Sequence, residues 1–237
     1  MLAKGATQTG ADAEPEDLGQ LSSFLFAQGN RQQQAGDLDA AMATFERLCE
    51  VERRRVIEHQ LAVARGSIAD ILQARGELDE ALRIRTEEEL PVYQRLGDVR
   101  SVAVTQGKIA DILQAQGKTD EALALQEERL ATNRRLGVIV GIAASLWSIA
   151  QIELEREQFE QAFPRLAEAW PLMVKLGRPD GIAAIGGVFG QFLAGAGALD
   201  EARNVLGQAA AAYRKLGLAA QAAQIEATMA DINKRQS

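Results

Sequence analysis

Apolar side chains recur along the chain at the spacing of helices, and each apolar stretch ends near a glycine. One such stretch holds Ile68, Ala69, Ile71 and Leu72, shortly before Gly76. Glycine just past a helix end takes the left-handed backbone conformation at little steric cost, so it often terminates helices. The pattern therefore predicts a series of helices separated by short breaks.

Two short sequence motifs recur along the chain with a nearly constant period. The first motif begins at residues separated by 40, 41, 40 and 40 positions: Gly36, Gly76, Gly117, Glu157 and Gly197. The second motif is a Leu-Gly pair that keeps the same period: Leu96-Gly97, Leu136-Gly137, Leu176-Gly177 and Leu216-Gly217. A period with two breaks holds two helices, which indicates a repeated helical hairpin.

These signals together predict eleven helices. They span residues 18–35, 37–54, 58–75, 77–96, 98–116, 118–136, 138–156, 158–176, 180–196, 198–216 and 218–235. Pro91, Pro164 and Pro171 fall inside two of them, and a proline within a helix removes a hydrogen bond. We expect Pro91 and Pro171 either to kink their helices near the hairpin exit or to end them before a short turn.

Small residues occupy two fixed places of the repeat. The place in the first helix of each hairpin holds Gly29, Ala69, Ala110, Ala150 and Gly190, and the place early in the second helix holds Ala41, Ala81, Ala122, Ala162 and Ala202. Two helices can cross closely where both side chains are small. With the terminal glycines, these marks resemble the tetratricopeptide repeat, in the long form of about 40 residues that occurs in bacterial arrays and kinesin light chains. The chain departs from that pattern where Arg85 and Gln126 stand at aromatic positions.

The resemblance covers residues 18–235 and implies the fold class. We expect an all-α protein, a right-handed α-solenoid of five helix-turn-helix repeats plus a C-terminal capping helix, folded as one superhelical domain. Residues 1–17 are small and polar, so we expect them to form a flexible N-terminal leader. Residues 181–199 carry no charge, but six glycines and Gln191 argue against a helix that spans a membrane.

Charge and composition disfavour several classes of function. The chain holds 26 Lys and Arg against 33 Asp and Glu, a net charge of -7, which disfavours a nucleic-acid partner. The lone cysteine, Cys49, and the lone histidine, His59, cannot build a disulfide or a multi-histidine metal site. We expect a cytoplasmic protein that is not an enzyme and that needs no metal or cofactor.

The resemblance also implies a binding surface, because the first helices of such repeats line the concave face. The residues at the matching position form a polar ladder: Asn30, Asp70, Asp111, Gln151, Gln191 and Asp231. One helical turn further on stand Gln33, Gln73 and Gln114. Amide and carboxylate groups in such a row can bind the backbone of a peptide or pair with Lys and Arg of a helix.

One turn before the ladder, Trp147 stands beyond two glycines, Gly66 and Gly107, which predict gaps in the middle of the groove. Trp147 is either an exposed anchor for a partner or a filler between neighbouring hairpins. Arginines such as Arg85, and the carboxylates Glu87 to Glu89, are expected on a solvated convex surface of the second helices, joined by surface ion pairs.

The main functional hypothesis is an adaptor or scaffold whose concave groove binds a peptide or helix of another protein, with basic or mixed charge. An alternative is self-association into a homo-oligomer through terminal helices, since the last helix carries an apolar stripe: Leu218, Ala222, Ile225, Met229 and Ile232. A third is a small-molecule sensor, based on the glycine-rich, roomy helix predicted at 180–196.

Overall fold

The computed structural model describes residues 17–234, and these are almost entirely helical. The helices are α1 (Leu18–Gln34), α2 (Leu38–Arg55), α3 (Glu58–Ala74), α4 (Leu78–Arg83), a π-helical segment (Ile84–Glu89), α5 (Leu90–Leu96), α6 (Val99–Ala115), α7 (Thr119–Leu136), α8 (Ile139–Glu155), α9 (Phe159–Leu176), α10 (Pro179–Gly195), α11 (Leu199–Lys215) and α12 (Ala219–Lys234). The predicted helices are confirmed, with the fourth divided by the π-helical segment. The predicted leader falls outside the described residues except for Asp17, whose carboxylate caps α1.

The helices pair as antiparallel hairpins, as the sequence predicts. First helices α1, α3, α6, α8 and α10 pack against second helices α2, α4 to α5, α7, α9 and α11, and α12 packs on α11. The chain divides into two compact units, unit 1 (Met1–Asp98) and unit 2 (Val99–Ser237). This is an all-α fold of the solenoid class, built of helix-turn-helix repeats. The single domain over 18–235 stays a prediction.

Glycines in the left-handed conformation end the helices. Eight glycines have φ between 63° and 82°: Gly36, Gly76, Gly97, Gly117, Gly137, Gly177, Gly197 and Gly217. Two breaks of the repeat lack a glycine, and there Val56 (φ 57°) and Glu157 (φ 60°) take the same conformation. A side chain with a Cβ is disfavoured in this region by roughly 1–2 kcal/mol, so the repeat imposes strain at these two turns.

The small positions lie at the helix crossings. All five second-helix alanines are 0% exposed, and the first-helix positions are buried too. In unit 1, a Cβ on Gly29 would lie 2.7 Å from Phe45 Cζ. In α10 of unit 2, Cβ atoms on Gly186 and Gly190 would lie 2.5 Å from Trp170 and Leu206. The premise of a roomy α10 is therefore wrong at these helix crossings, because side chains of α9 and α11 occupy the space beside Gly186 and Gly190. It holds only at the end of α10, where a Cβ on Gly195 would meet nothing within 4 Å.

None of the three prolines interrupts the helical backbone, but they lie at different places in their helices. Pro164 and Pro171 lie inside the continuous helix α9, and Pro91 lies in the first turn of α5, directly after the π-helical segment. A π-helical turn shifts the hydrogen-bond register, which accommodates a residue that lacks an N–H group. The prediction that the chain stops at these prolines and forms a short turn is wrong.

The apolar stripe of α12 faces the interior of unit 2. Ala222, Ile225 and Ile232 are 2–7% exposed, and Met229 packs against the same core. These four residues are covered within the chain, so they do not form the self-association surface that the sequence suggested. Leu218, the first residue of the stripe, is 39% exposed. Pairing of identical chains through other surfaces stays a prediction.

Candidate functional site

The six ladder residues occupy one position in six helices. Each is the thirteenth residue of its helix, counted from the first residues of α1, α3, α6, α8, α10 and α12. Gln33, Gln73 and Gln114 are the sixteenth residues of α1, α3 and α6. The first two helices belong to unit 1 and the other four to unit 2. A constant position does not by itself bring side chains together, so each unit is considered separately.

In unit 1, an arginine of the following second helix holds the carboxylate of Asp70. Arg85 Nη2 donates to Asp70 Oδ1 at 2.6 Å, and Arg85 Nη1 donates to Glu89 Oε2 at 2.7 Å. Arg85 is 2% exposed and Glu89 6% exposed. The prediction that Arg85 and Glu89 are solvated is wrong, because they form a buried ion pair in the π-helical segment. Asp70 therefore has a structural role whether or not it binds a partner.

The two predicted glycine gaps are filled. A Cβ on Gly66 would lie 2.7 Å from Glu89 Oε1, and one on Gly107 would lie 2.6 Å from Arg129 Cζ. Both glycines are buried. The prediction of open gaps is wrong, because charged side chains of the second helices pack flat against the first helices at these glycines.

In the third hairpin, which belongs to unit 2, different residues fill the space beside the glycine of the first helix. Gln126 stands where the preceding repeat has Arg85 and is 1% exposed. Arg129 Nη1 donates to Gln126 Oε1 at 3.1 Å. Burial lowers the pKa of Arg129, while the negative charge of Asp111 acts in the opposite direction. Asp111 thus has a cation of the second helix near it, as Asp70 has in unit 1.

Trp147 and Gln114 also make contacts within unit 2. Trp147 is partly buried and packs against the core of this unit, as expected of a space-filling residue. Part of the surface of Trp147 remains exposed, so its role as an anchor for a binding partner stays a proposal. Gln114 Nε2 donates to Glu155 Oε1, the last residue of α8, at 2.9 Å.

Open space surrounds a ladder residue of unit 2 at the end of α10. Gln191 borders a cavity of about 250 Å³ that is also lined by Thr228 and Asp231 of α12. It borders a second cavity of about 170 Å³, where Tyr213 and Gln221 stand. The structure therefore brings together two ladder residues, Gln191 and Asp231, around one cavity.

A third cavity beside Gln191 is aromatic and was not predicted. It measures about 760 Å³ and lies between the start of α9 and the end of α10, where Phe159, Phe163 and Phe192 line it. The rings of Phe159 and Phe192 are 5.9 Å apart, and those of Phe163 and Phe192 are 6.4 Å apart. The available sequence signal was the clustering of phenylalanine, since four of the seven in the chain lie between residues 159 and 192.

His59 and Cys49 both make structural contacts in unit 1. His59 Nε2 lies 3.2 Å from Asp98 Oδ2, and its ring packs edge-on against Tyr93, at 5.4 Å between centroids. Cys49 is 3% exposed, and burial raises the pKa of its thiol to about 11. Within residues 17–234, no group of three or more His, Cys, Asp and Glu could hold a metal ion. The absence of enzymatic activity stays a prediction.

No helix in the described part of the chain combines the length and apolar character needed to cross a membrane. This includes α10, which contains most of the uncharged segment.

Comparison with known proteins identifies the repeat. Residues 102–136, which span most of the third hairpin, match the family model described as tetratricopeptide repeat. No curated protein matches the chain by sequence. Residues 102–136 are therefore a tetratricopeptide repeat, and the other hairpins of the chain share its period of about 40 residues.

Solved structures show the same fold at low sequence identity. TPR-like repeats assigned to a kinesin light chain in Podosopora anserina have a TM-score of 0.63 and 21% identity, over 85% of this chain and 98% of that one. Aspartyl phosphate phosphatase F from Bacillus subtilis has a TM-score of 0.68 and 11% identity, over 92% and 61%. A Rap protein complexed with Competence and Sporulation Factor has a TM-score of 0.67 and 13% identity, over 93% and 66%. These likenesses concern the fold.

Proposed function

We propose that this chain is a protein-interaction module that binds a peptide or helix of a partner protein along the first helices of unit 2. The observation that carries the proposal is the cavity shared by Gln191 and Asp231, with Thr228 beside them. Ladder residues of successive first helices border one open space there, as a groove for a partner segment requires.

The chemistry of these groups suits a polypeptide. The amide of Gln191 can donate to a backbone carbonyl and accept from a backbone N–H, and the hydroxyl of Thr228 can do the same. Asp231 only accepts, and it already pairs with Lys234, whose Nζ lies 3.0 Å from Asp231 Oδ1. Its side chain is 66% exposed, so its carboxylate can also accept from an N–H donor of a partner. With a net charge of -7, the chain attracts a partner of basic or mixed charge more strongly than an acidic one.

The comparisons support the same class of function. A Rap protein of similar fold, of which this chain covers 66%, was solved in complex with Competence and Sporulation Factor. The aspartyl phosphate phosphatase of similar fold extends well beyond the part that matches this chain, which covers 61% of it. We therefore propose binding and not phosphatase chemistry for this chain.

The test replaces ladder residues that have no buried ion pair to lose. Gln151, Gln191 and Asp231 are changed to Ala together, and Asp70 is left intact because its carboxylate balances the buried Arg85. A matched control changes Glu128, Gln161 and Asn204, which are two amides and one carboxylate on exposed positions of second helices.

A partner is first identified by affinity capture and mass spectrometry and then titrated, as a purified protein, against the variants. We expect the ladder variant to bind at least tenfold more weakly and the control to bind like the parent chain, with equal helical circular dichroism in all three. Equal affinity of the ladder variant and the parent for that partner would refute the proposal.

A further inference from the structure

We infer that the aromatic cavity between α9 and α10 is a specificity pocket that receives one bulky apolar side chain of the partner segment, next to a basic residue of that segment. This inference rests on the proposed function and deepens it. The ladder supplies polar contacts that any peptide could make, whereas the pocket would select among peptides by side chain.

The lining of the pocket suits an apolar side chain. Phe159, Phe163, Phe192 and Pro164 form its walls, and only Glu160 and Gln191 contribute polar side chains. Phe159 keeps 52% of its surface exposed, so a large part of this wall is open to water. Burial of apolar surface contributes about 25 cal/mol per Å², so covering such rings with a partner side chain is favourable.

The corresponding positions of the other hairpins do not build this pocket. The residues that match Phe159 are Leu38, Leu78, Thr119 and Leu199, and those that match Phe163 are Met42, Leu82, Leu123 and Arg203. Aromatic rings at both places occur in α9 and in no other second helix of the chain. Phe163 also packs against the core of unit 2, whereas Phe159 is not part of that core and keeps 52% of its surface exposed. The repeat architecture does not require an aromatic ring at Phe159, which points to a role for it other than packing.

The turn that presents Phe159 is strained. Glu157 has a φ of 60°, at the break where four other hairpins have a glycine, and Phe159 follows two residues later as the first residue of α9. Strain of this kind persists only where the surrounding structure enforces it, and it concentrates at binding sites. The combination of a strained turn and an exposed aromatic ring falls at this one hairpin of the described chain.

Charge around the pocket defines the second feature of the ligand. Glu160 is the charged residue in the lining and is exposed. No Lys or Arg of the described residues lines the pocket. Arg156, three residues before Phe159 in the sequence, is paired, since its Nη2 lies 2.7 Å from Asp120 Oδ1. The rim of the pocket therefore carries negative charge, and a Lys or Arg beside the apolar anchor of the ligand would complement it.

Gln191 connects the pocket to the ladder. It lines the aromatic pocket and also the cavity that it shares with Asp231, so one peptide can contact both at once. The side of α10 that carries Gln191 would hold the peptide backbone, and the anchor side chain would turn toward Phe159. This geometry favours a polypeptide over a free apolar molecule, which would use the pocket and not the ladder.

The experiment selects ligands from a displayed library of random peptides with the full chain as bait. We expect enriched peptides to combine Phe, Leu, Met or Trp with a neighbouring Lys or Arg. Synthetic copies of the strongest peptides are then titrated against Phe159→Ala and against the matched control Phe24→Ala, an exposed phenylalanine of unit 1 (58% exposed). Loss of an anchor pocket typically weakens binding about tenfold, so we expect that loss for Phe159→Ala and no change for Phe24→Ala.

The same peptides titrated against the triple ladder variant separate this inference from the proposed function. Peptides weakened by the ladder variant but not by Phe159→Ala would overturn the pocket and leave the proposed function standing. Enrichment of acidic or purely polar peptides would also overturn it, and failure to enrich any peptide would count against both. If 8-anilinonaphthalene sulfonate bound in a Phe159-dependent way while no peptide did, the pocket would belong to a small apolar ligand and the inference would be wrong.

Discussion

Arg85 holds Asp70 and Glu89 with two different nitrogen atoms, at 2.6 Å and 2.7 Å, inside unit 1. The contact joins α3 to the π-helical segment of its partner helix. It gives one ladder residue a structural role and supplies a cation to the buried carboxylate of Glu89. Removal of the cation alone should therefore cost more stability than replacement of both members of the buried pair.

Replacing Arg85 with Gln should destabilise the chain by about 3 kcal/mol, since Glu89 would remain buried without its cation. The double variant Arg85→Gln, Glu89→Leu should recover most of this loss, because it copies Gln126 and Leu130 from the equivalent positions of α7. Urea denaturation monitored by circular dichroism measures both midpoints. A double variant no more stable than the single one would show that the ion pair is not the source of the effect.

Glycine at the two strained turns should stabilise the chain. Val56 and Glu157 have positive φ, which disfavours residues with a Cβ, so Val56→Gly and Glu157→Gly should each raise the free energy of unfolding by about 1 kcal/mol. Gly97→Val, the reverse change at the turn that matches Val56, should lower it by a similar amount. Thermal denaturation of the three variants checks the sign, and a loss of stability in Val56→Gly would contradict the argument.

Glu153 should make the chain less stable as the pH rises through the mildly acidic range. Burial raises the pKa of Glu153 above its usual 4.5, and the positive charge of Arg165 only partly opposes this. The folded state then holds its proton more tightly than the unfolded state, so stability from this group is full below pH 4.5 and is lost as the pH passes the folded-state pKa.

Glu153→Gln should therefore be more stable than the parent chain at pH 7 and should gain little at pH 4. Urea midpoints at the two pH values measure the difference. An advantage of the same size at both values would mean that the carboxylate does not titrate differently on folding.

Cys49 should be a slow nucleophile in the folded chain. Its thiol is buried, and its pKa is raised to about 11, so the thiolate is scarce at pH 8. Reaction with a chromogenic disulfide reagent should be at least a hundredfold slower in buffer than in concentrated urea. A native rate equal to that in urea would indicate that α2 opens readily.

The helices could be predicted because residues close in sequence to each helix end signal where the helix stops. Glycines with positive φ terminate eight of them, and small residues such as Ala81 and Ala122 mark the crossings. A local signal of this kind needs no knowledge of the neighbouring helices. The repeat then supplied the register of Gln191 and Asp231 within α10 and α12.

The contacts between helices could not be predicted in the same way. Arg85 looked like a surface arginine, and only its placement opposite Asp70 and Gly66 explains why it is buried. The aromatic pocket depends on Phe159 and Phe192, which lie 33 positions apart and meet only when α9 packs on α10. Such features follow from pairs of side chains and not from periodicity.

Side chains of second helices pack against glycines of first helices, and this packing also limits misfolding. Repeats that look alike could exchange helices during folding, and a helix bearing Glu89 fits only a first helix that offers a bare position such as Gly66. The matching position of α8 is Trp147, whose indole would collide with that carboxylate. The steric fit between the first and second helices of a hairpin thus favours the correct pairing of helices over incorrect pairings.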